Sequence, residues 1–564
     1  MDPAVRLLST RTPLLPLIPA VPLLVLVALP AALAVPFLLA LTEPGALIHA
    51  FAVPGYGKSL AITLISATLG TATATLLALA LLASITGHSG RWLRLAVPPL
   101  LATPHAAMAV GLAFLVAPSG WFLRLISPWV TGLEQPPLWS VIQDPWGLSL
   151  AAGLALKELP FILLLALSST RRESLQPSFR AALSLGYGRY SAFLKVIAPQ
   201  LAPSMVLPVT IAFIYGLSSV DMGSVLGPTA PPPFAILALS KLGDPSTEGW
   251  RLGLALSLHL AVITLTALLA FTGLAFAARA GIRRWASNGQ RRSFAGWSLG
   301  GVALLGRLGV LISALSLAGL VLWAFAQRWR FPAALPQQWT GLDWIWARGF
   351  WSVESLNTLW LALASSLLGL ALALGFILAE RRARPSARAS LGWTGTAILP
   401  LLIPQMTLIP ALLLLDLTVL GLSPWALALW GHVMFTAAYA YLSLRGPVLS
   451  LDPRYRQAAL ALGRPPWQAL LLVELPVLLR PLMVSLAIAL SVSVAAYLPT
   501  LTLGQGRIET FTVEAVAAAT GGSRRTVAQF ALSQSFWALL FFFSAVAVPN
   551  LAFRNRRGLA AHVT

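Results

Sequence analysis

A chain of 564 residues in which 58% are hydrophobic and only 10% charged carries less than half the charge of a soluble domain, where about 25% is usual, so it reads as a polytopic membrane protein. A net charge of +21 would suggest nucleic acid in a soluble protein. Here enrichment of Lys and Arg in cytoplasmic loops is the simpler cause, and no nucleic-acid partner is expected. The chain has no cysteine, which excludes disulfides, thiolate metal sites and cysteine nucleophiles.

The N-terminus carries Arg6 and Arg11, then a Pro-rich apolar run over about 14–41. The run is longer than a signal-peptide core, so it is read as an uncleaved first span. Apolar segments follow at about 59–86, 94–117, 148–168, 201–220 and 252–278. A second set covers about 299–326, 356–379, 392–415, 425–444, 477–503 and 528–553. The pattern predicts an all-α membrane protein of about 12 transmembrane helices in two homologous six-helix halves. The expected domains are 1–278 and 299–564, joined by a basic cytoplasmic linker at 279–298.

Residues 52–59 read AVPGYGKS, a loose phosphate-loop pattern. Such a loop needs a preceding strand and a helix start that aims amides at phosphate. Here Lys58 opens an apolar span, so no nucleotide site is expected. The outside loop at 118–147 holds Trp121, Trp129, Trp139 and Trp146. The loop opening the second half holds Trp329, Trp339, Trp344, Trp346 and Trp351. An interfacial aromatic belt explains both clusters; a docking surface for an external protein is the sharper reading.

Lys157 and Glu158 are adjacent within the fourth span and are read as neutralising each other. Asp221 lies near the outer end of the fifth span. An acid there without an evident partner is a substrate-path candidate. His105, His432, Asn357 and Gln405 are scattered polar residues in spans, expected to make interhelical hydrogen bonds. No cluster has metal-ligand spacing, and no nucleophile–base pair is visible.

One polar stretch occurs twice. Residues 179–199 read FRAALSLGYGRYSAFLKVIAP and residues 456–476 read RQAALALGRPPWQALLLVELP, sharing nine of twenty-one positions without a gap. Ala181, Ala182, Gly186 and Pro199 recur as Ala458, Ala459, Gly463 and Pro476, at a constant offset of 277 residues. The Ala-rich run favours helix, and glycine ends one cheaply in the left-handed conformation. Each copy therefore reads as a short helix, a break, a second short helix, and a Pro at the start of a span. With an inside N-terminus, alternation puts both copies and most basic residues in the cytoplasm.

The two copies resemble the "EAA" loop of bacterial ABC importer permeases: Glu-Ala-Ala, three residues, Gly, nine residues, Ile-x-Leu-Pro. The family's Glu is absent; Arg180 and Gln457 stand in its place. Asp221-Met222-Gly223 also looks like an acidic-x-Gly motif found at this place in some oxyanion and metal importer permeases. The arrangement is similar to single-chain ferric-iron and thiamine importer permeases and a related uncharacterised branch. That resemblance implies a bacterial inner-membrane protein with both termini cytoplasmic. It implies two copies of a partner ATPase that bind ATP and Mg²⁺, and a periplasmic substrate-binding protein. No cofactor is expected in this chain. The rival is a major-facilitator secondary transporter, also of twelve spans in two repeated halves. The loop repeat and the scarcity of buried charge count against it, and a structural or assembly protein is a more distant alternative.

Overall fold

The computed structural model describes residues 15–86, 91–169, 175–291, 294–346 and 351–554. Arg6, Arg11, Arg556, Arg557 and residues 171–174 at the start of the first repeated loop lie outside the described residues. In the first half, span α1 (Leu17–Leu41) precedes α2 (Tyr56–Ile85). Next come α3 (Arg91–Ala102), α4 (His105–Val116) and α5 (Leu148–Ser169). The short α6 (Leu175–Ser184) leads into span α7 (Arg189–Ser218). At the far end of α7 lie α8 (Asp221–Leu226) and α9 (Phe234–Leu242), and α10 (Thr247–Ala286) returns. At 40 residues, α10 is roughly 60 Å long, against a bilayer core of about 30 Å. Its last turns therefore carry Arg283 and Arg284 beyond the hydrocarbon.

The second half opens with α11 (Phe294–Phe325) and a small antiparallel hairpin, β1 (Ala326–Arg328) with β2 (Gln338–Trp339). Then come α12 (Val353–Ala383), α13 (Ala387–Ala397), α14 (Leu399–Leu402), α15 (Gln405–Leu415) and α16 (Pro424–Leu449). The short α17 (Pro453–Ala461) leads to α18 (Pro466–Val477) and α19 (Leu479–Val494), and α20 (Phe511–Ala519) and α21 (Arg524–Ala552) close the chain.

Among the described residues ten helices are long and apolar enough to cross a membrane, and the α18–α19 pair, bent by 78°, makes eleven. The last of the twelve segments expected from sequence is α13–α15, where a break shortens the apolar helix to Gln405–Leu420. The first half breaks at the same place: Pro104 and Pro404 are both extended N-caps, at the mouths of α4 and α15. Proline cannot donate to the preceding turn, so the ladder opens there. The bend before α19 has a related cause: Pro481 cannot donate to the Val477 carbonyl. The segment 279–298 is mostly helical, with α10 running through Ala286 and α11 starting at Phe294.

Glycine sets the closest helix pairs. A Cβ on Gly70 would lie 2.8 Å from Leu154 Cβ of α5, and one on Gly369 would lie 2.8 Å from Ala437 N of α16. The α2–α5 and α12–α16 contacts are thus equivalent close approaches, the usual way membrane helices gain packing without hydrophobic drive.

The first span of each half packs on the other half. Leu23, Val27, Ala31 and Leu38 of α1 share a buried cluster with Phe376, Leu412 and Ala437. The Trp430 indole donates to the Leu26 carbonyl at 2.7 Å. Reciprocally, Leu299, Ala303 and Val310 of α11 join a cluster with Leu81 and Leu159.

Candidate functional site: the repeated loops and the central cavity

The two repeated segments fold alike, residue for residue. α6 and α17 end in the same hydrogen-bond pattern: Gly186 N donates to Leu183 O and Tyr187 N to Ala182 O, while Gly463 N donates to Leu460 O and Arg464 N to Ala459 O. This is a Schellman ending, and both glycines are left-handed, with φ of +85° and +79°. Next, Gly188 and Pro465 serve as extended N-caps for two four-residue helical turns, Arg189–Ala192 and Pro466–Ala469. Each turn widens into a π-helical segment, Phe193–Ile197 and Leu470–Glu474, before Pro199 and Pro476 in the first turn of the next helix.

Ala182 and Ala459 are buried, whereas Arg180, Ala181, Gln457 and Ala458 are exposed. Two leucines per loop are exposed at matching positions: Leu183 with Leu460, and Leu185 with Leu462. Exposed apolar side chains on a short polar connector suit a partner surface. With the broken α13–α15 segment counted as a crossing beside the five full spans between the loops, six crossings separate them, which puts both loops at the same end of the bundle.

The loops are tied to the bundle by different chemistry. In the first half Arg189 donates to the carbonyls at the end of α2: Nε to Ala83 O at 3.2 Å, and Nη2 to Ser84 O at 2.6 Å and Thr86 O at 2.7 Å. Pro466 holds that position in the second half. There Glu474 pairs with Arg381 of α12 at 2.9 Å. Nearby, Glu380 accepts from Arg445 at 2.6 Å and from Tyr441 at 3.0 Å.

Between the halves lies a cavity of about 300 Å³, beside a smaller one of about 90 Å³ that shares His105, Tyr215 and Tyr439 with it. Thr103, His105, Lys157, Glu158 and Tyr439 line the larger. His105, Tyr215, Asp221, Gln405, Phe435 and Tyr497 line the smaller. Asp221 does have partners, contrary to the sequence reading: it accepts from Tyr215 Oη at 2.8 Å and Ser219 Oγ at 3.1 Å, and it opens α8 rather than ending a span. Tyr215 in turn stacks on His105, with ring centroids 4.3 Å apart.

The expected Lys157–Glu158 pairing is also corrected. Lys157 Nζ turns to the helix break and donates to the carbonyls of Leu101 at 3.0 Å and Thr103 at 2.5 Å. Those carbonyls lose their helical donors at Pro104, and an ammonium is their natural cap. Glu158 instead meets His105 Nε2 at 3.2 Å. In the second half Met434 and Phe435 stand at these positions, 277 residues on. The charged wall of the cavity therefore belongs to the first half alone.

The other polar residues hold helices together. His432 bonds Ser493 Oγ at 2.6 Å and Thr500 Oγ1 at 2.9 Å, and Asn357 donates to Glu509 O at 2.9 Å. The 52–59 segment is a turn at the mouth of α2, with Gly55 left-handed against Pro231. Among the described residues no group of three His, Cys, Asp or Glu could hold a metal.

The Trp clusters divide. Trp129, Trp139, Trp146, Trp339, Trp346 and Trp351 are exposed. Trp329 is buried and carries the Arg124 guanidinium 5.0 Å over its ring, which bolts the 118–147 loop to the hairpin of the second half. Arg124 was the residue sequence reasoning passed over; a lone Arg in a Trp-rich outer loop was the available signal.

Comparison with known proteins agrees with this architecture. Residues 371–554 match the family of binding-protein-dependent transport system inner membrane components. The chain is 28% identical over 517 residues to the inner membrane ABC transporter permease protein YnjC of Escherichia coli (strain K12), covering 90% of this chain and 91% of that one. No solved structure matches. The second half thus carries the match to this family of transport components, and over 90% of its length the chain is similar to an inner-membrane ABC transporter permease, in keeping with its many apolar spans.

Proposed function

We propose that this chain forms a complete translocation pathway for a small solute, with 1–278 and 299–564 as its two permease domains. Two copies of a separate ATPase, which bind the ATP and Mg²⁺, dock under the two loops. A periplasmic binding protein delivers the solute, and both termini are cytoplasmic. The observation that carries the reading is the pair of loops with identical backbone at one end of the bundle.

The anchors supply a route for the force. Arg189 ties the first loop to α2, and Glu474 ties the second to α12. Those helices are the ones that Gly70 and Gly369 press onto α5 and α16. α5 and α16 carry Glu158 and Tyr439 into the cavity wall. Drawing the loops together therefore moves the cavity walls as rigid bodies.

Asp221 and Glu158 outnumber Lys157, whose ammonium is taken up by the carbonyls at the helix break, so the wall carries an acidic excess that suits a cation. The resemblance supplies thiamine and ferric iron as candidates. The test is uptake in liposomes holding this chain with its ATPase, and the binding protein supplied outside. ATP-dependent uptake of one candidate, reduced at least fivefold by Asp221→Asn, is expected. Uptake driven by a proton gradient without ATP would favour a secondary transporter and sink the reading.

A further inference from the structure

We propose that the connection between the two halves is part of the first ATPase-docking surface, so that the two ATPase copies meet different surfaces. This rests on the loops being docking sites, as argued above.

Residues 287–291 do not leave the first loop free. The chain turns at Gly289, left-handed at φ +73°, and runs alongside the loop. Gly188 N donates to Arg291 O at 3.1 Å. Lys195, only 7% exposed, donates to Asn288 Oδ1 at 2.6 Å and to Gln290 O at 2.9 Å. The same ammonium sits 5.1 Å over the Trp285 ring. The Arg291 side chain comes within 3.5 Å of where a Cβ on Gly186 would lie. The connection is thus held by main-chain and buried contacts, while Asn288, Gly289, Gln290 and Arg291 remain exposed. They lie beside exposed Leu185 and Gly186, on the face the ATPase would meet.

Among the described residues the second loop has no equivalent cover. Pro465 replaces Gly188 and has no N–H to give. Leu472 replaces Lys195 and is 58% exposed. Nothing described lies within 4 Å of a Cβ on Gly463. The first docking surface is therefore a helix end plus a basic strap with Arg291 and, behind it, Arg283 and Arg284. The second, among the described residues, is a bare helix end. Continuity with the loop and this charge point to one occupant for the strap: the ATPase subunit under the first loop, through a face bearing carboxylates.

The chain has no native cysteine, which makes the test direct. Single cysteines are placed as Ser184→Cys, Ala461→Cys, Arg291→Cys and Gln290→Cys, and maleimide alkylation is timed with and without the ATPase. Position 291 is held through its carbonyl, so Arg291→Cys keeps the strap in place. Gln290→Cys serves if that variant assembles poorly. The expected result is at least tenfold slower alkylation at all sites in the complex. Arg291→Glu should also release the ATPase at lower salt than the unaltered chain. Protection at 184 and 461 with free-rate alkylation at 290 and 291 overturns this proposal and leaves the docking loops intact. No protection at 184 or 461 overturns the docking reading itself, and this proposal with it.

Discussion

Glu474 and Arg381 meet at 2.9 Å, with the carboxylate side chain only 3% exposed, and through them the second loop grips α12. Removing one partner of such a pair strands a buried charge and costs on the order of 3 kcal/mol, whereas replacing both with apolar side chains is often neutral. Arg381→Met should lower the thermal midpoint of the purified protein, and Arg381→Met with Glu474→Leu should recover most of the loss. A double variant no more stable than the single would show that the pair does not act as a unit.

Arg189 does the corresponding work in the first half with carbonyls as partners. Arg189→Met leaves the end of α2 without its cap, a loss of about 1.5 kcal/mol for hydrogen bonds from a charged donor. The expected effect is local: faster proteolysis within 175–199 and little change in the global midpoint. Proteolysis at the unaltered rate would remove Arg189 as the anchor.

The glycines at the loop ends should respond alike in strain and differently in contact. Valine at a φ near +80° costs roughly 1–3 kcal/mol. Gly186→Val and Gly463→Val should each insert in the membrane yet lose uptake and ATPase pull-down. Gly463→Asn should be tolerated, because Asn accepts the left-handed region and nothing described lies near. Gly186→Asn also meets Arg291 and should be the worse of the two. Normal pull-down by both valine variants would mean the loops are not where the ATPase binds.

Before the start of α5, Asp144 caps that helix, accepting from Leu148 N at 2.9 Å and Ser149 N at 2.7 Å. Burial raises its carboxyl, but bonds from Ser149, Leu148 and Trp146 together outweigh that and hold it below the ordinary value of 3.8. A depressed folded value means the contribution is complete above about pH 4 and is lost as pH falls further. Asp144→Ala should cost about 1 kcal/mol at neutral pH, the usual value of such a cap. The difference in thermal midpoint should shrink below pH 4. A gap unchanged down to pH 3 would contradict the capping role.

What the sequence disclosed follows from locality. Gly186 and Gly463 announced their left-handed ends because a helix stop is written in a few adjacent residues, and their repetition at one offset removed the ambiguity. Pro104 and Pro404 carry a similar local mark for the breaks. Lys157 could not be read this way, since its partners are main-chain carbonyls some fifty residues earlier, and carbonyls have no letter of their own. The packing of α1 on the second half left no trace either. Its apolar residues suit lipid and protein equally, so periodicity gives no preference for one neighbour.

That exchange of first spans puts translation time into the fold. Leu17–Leu41 is made before its partner α12 (Val353–Ala383). At ordinary elongation rates the delay is on the order of tens of seconds. During it the helix has only bilayer around it, and the stretch from Leu17 to Leu41 contains no charged residue that would make waiting there costly. A chain cut in the connection, with its halves made on separate messages, would lose this order, and each half would insert with its first span waiting for a partner that diffuses in from elsewhere in the membrane.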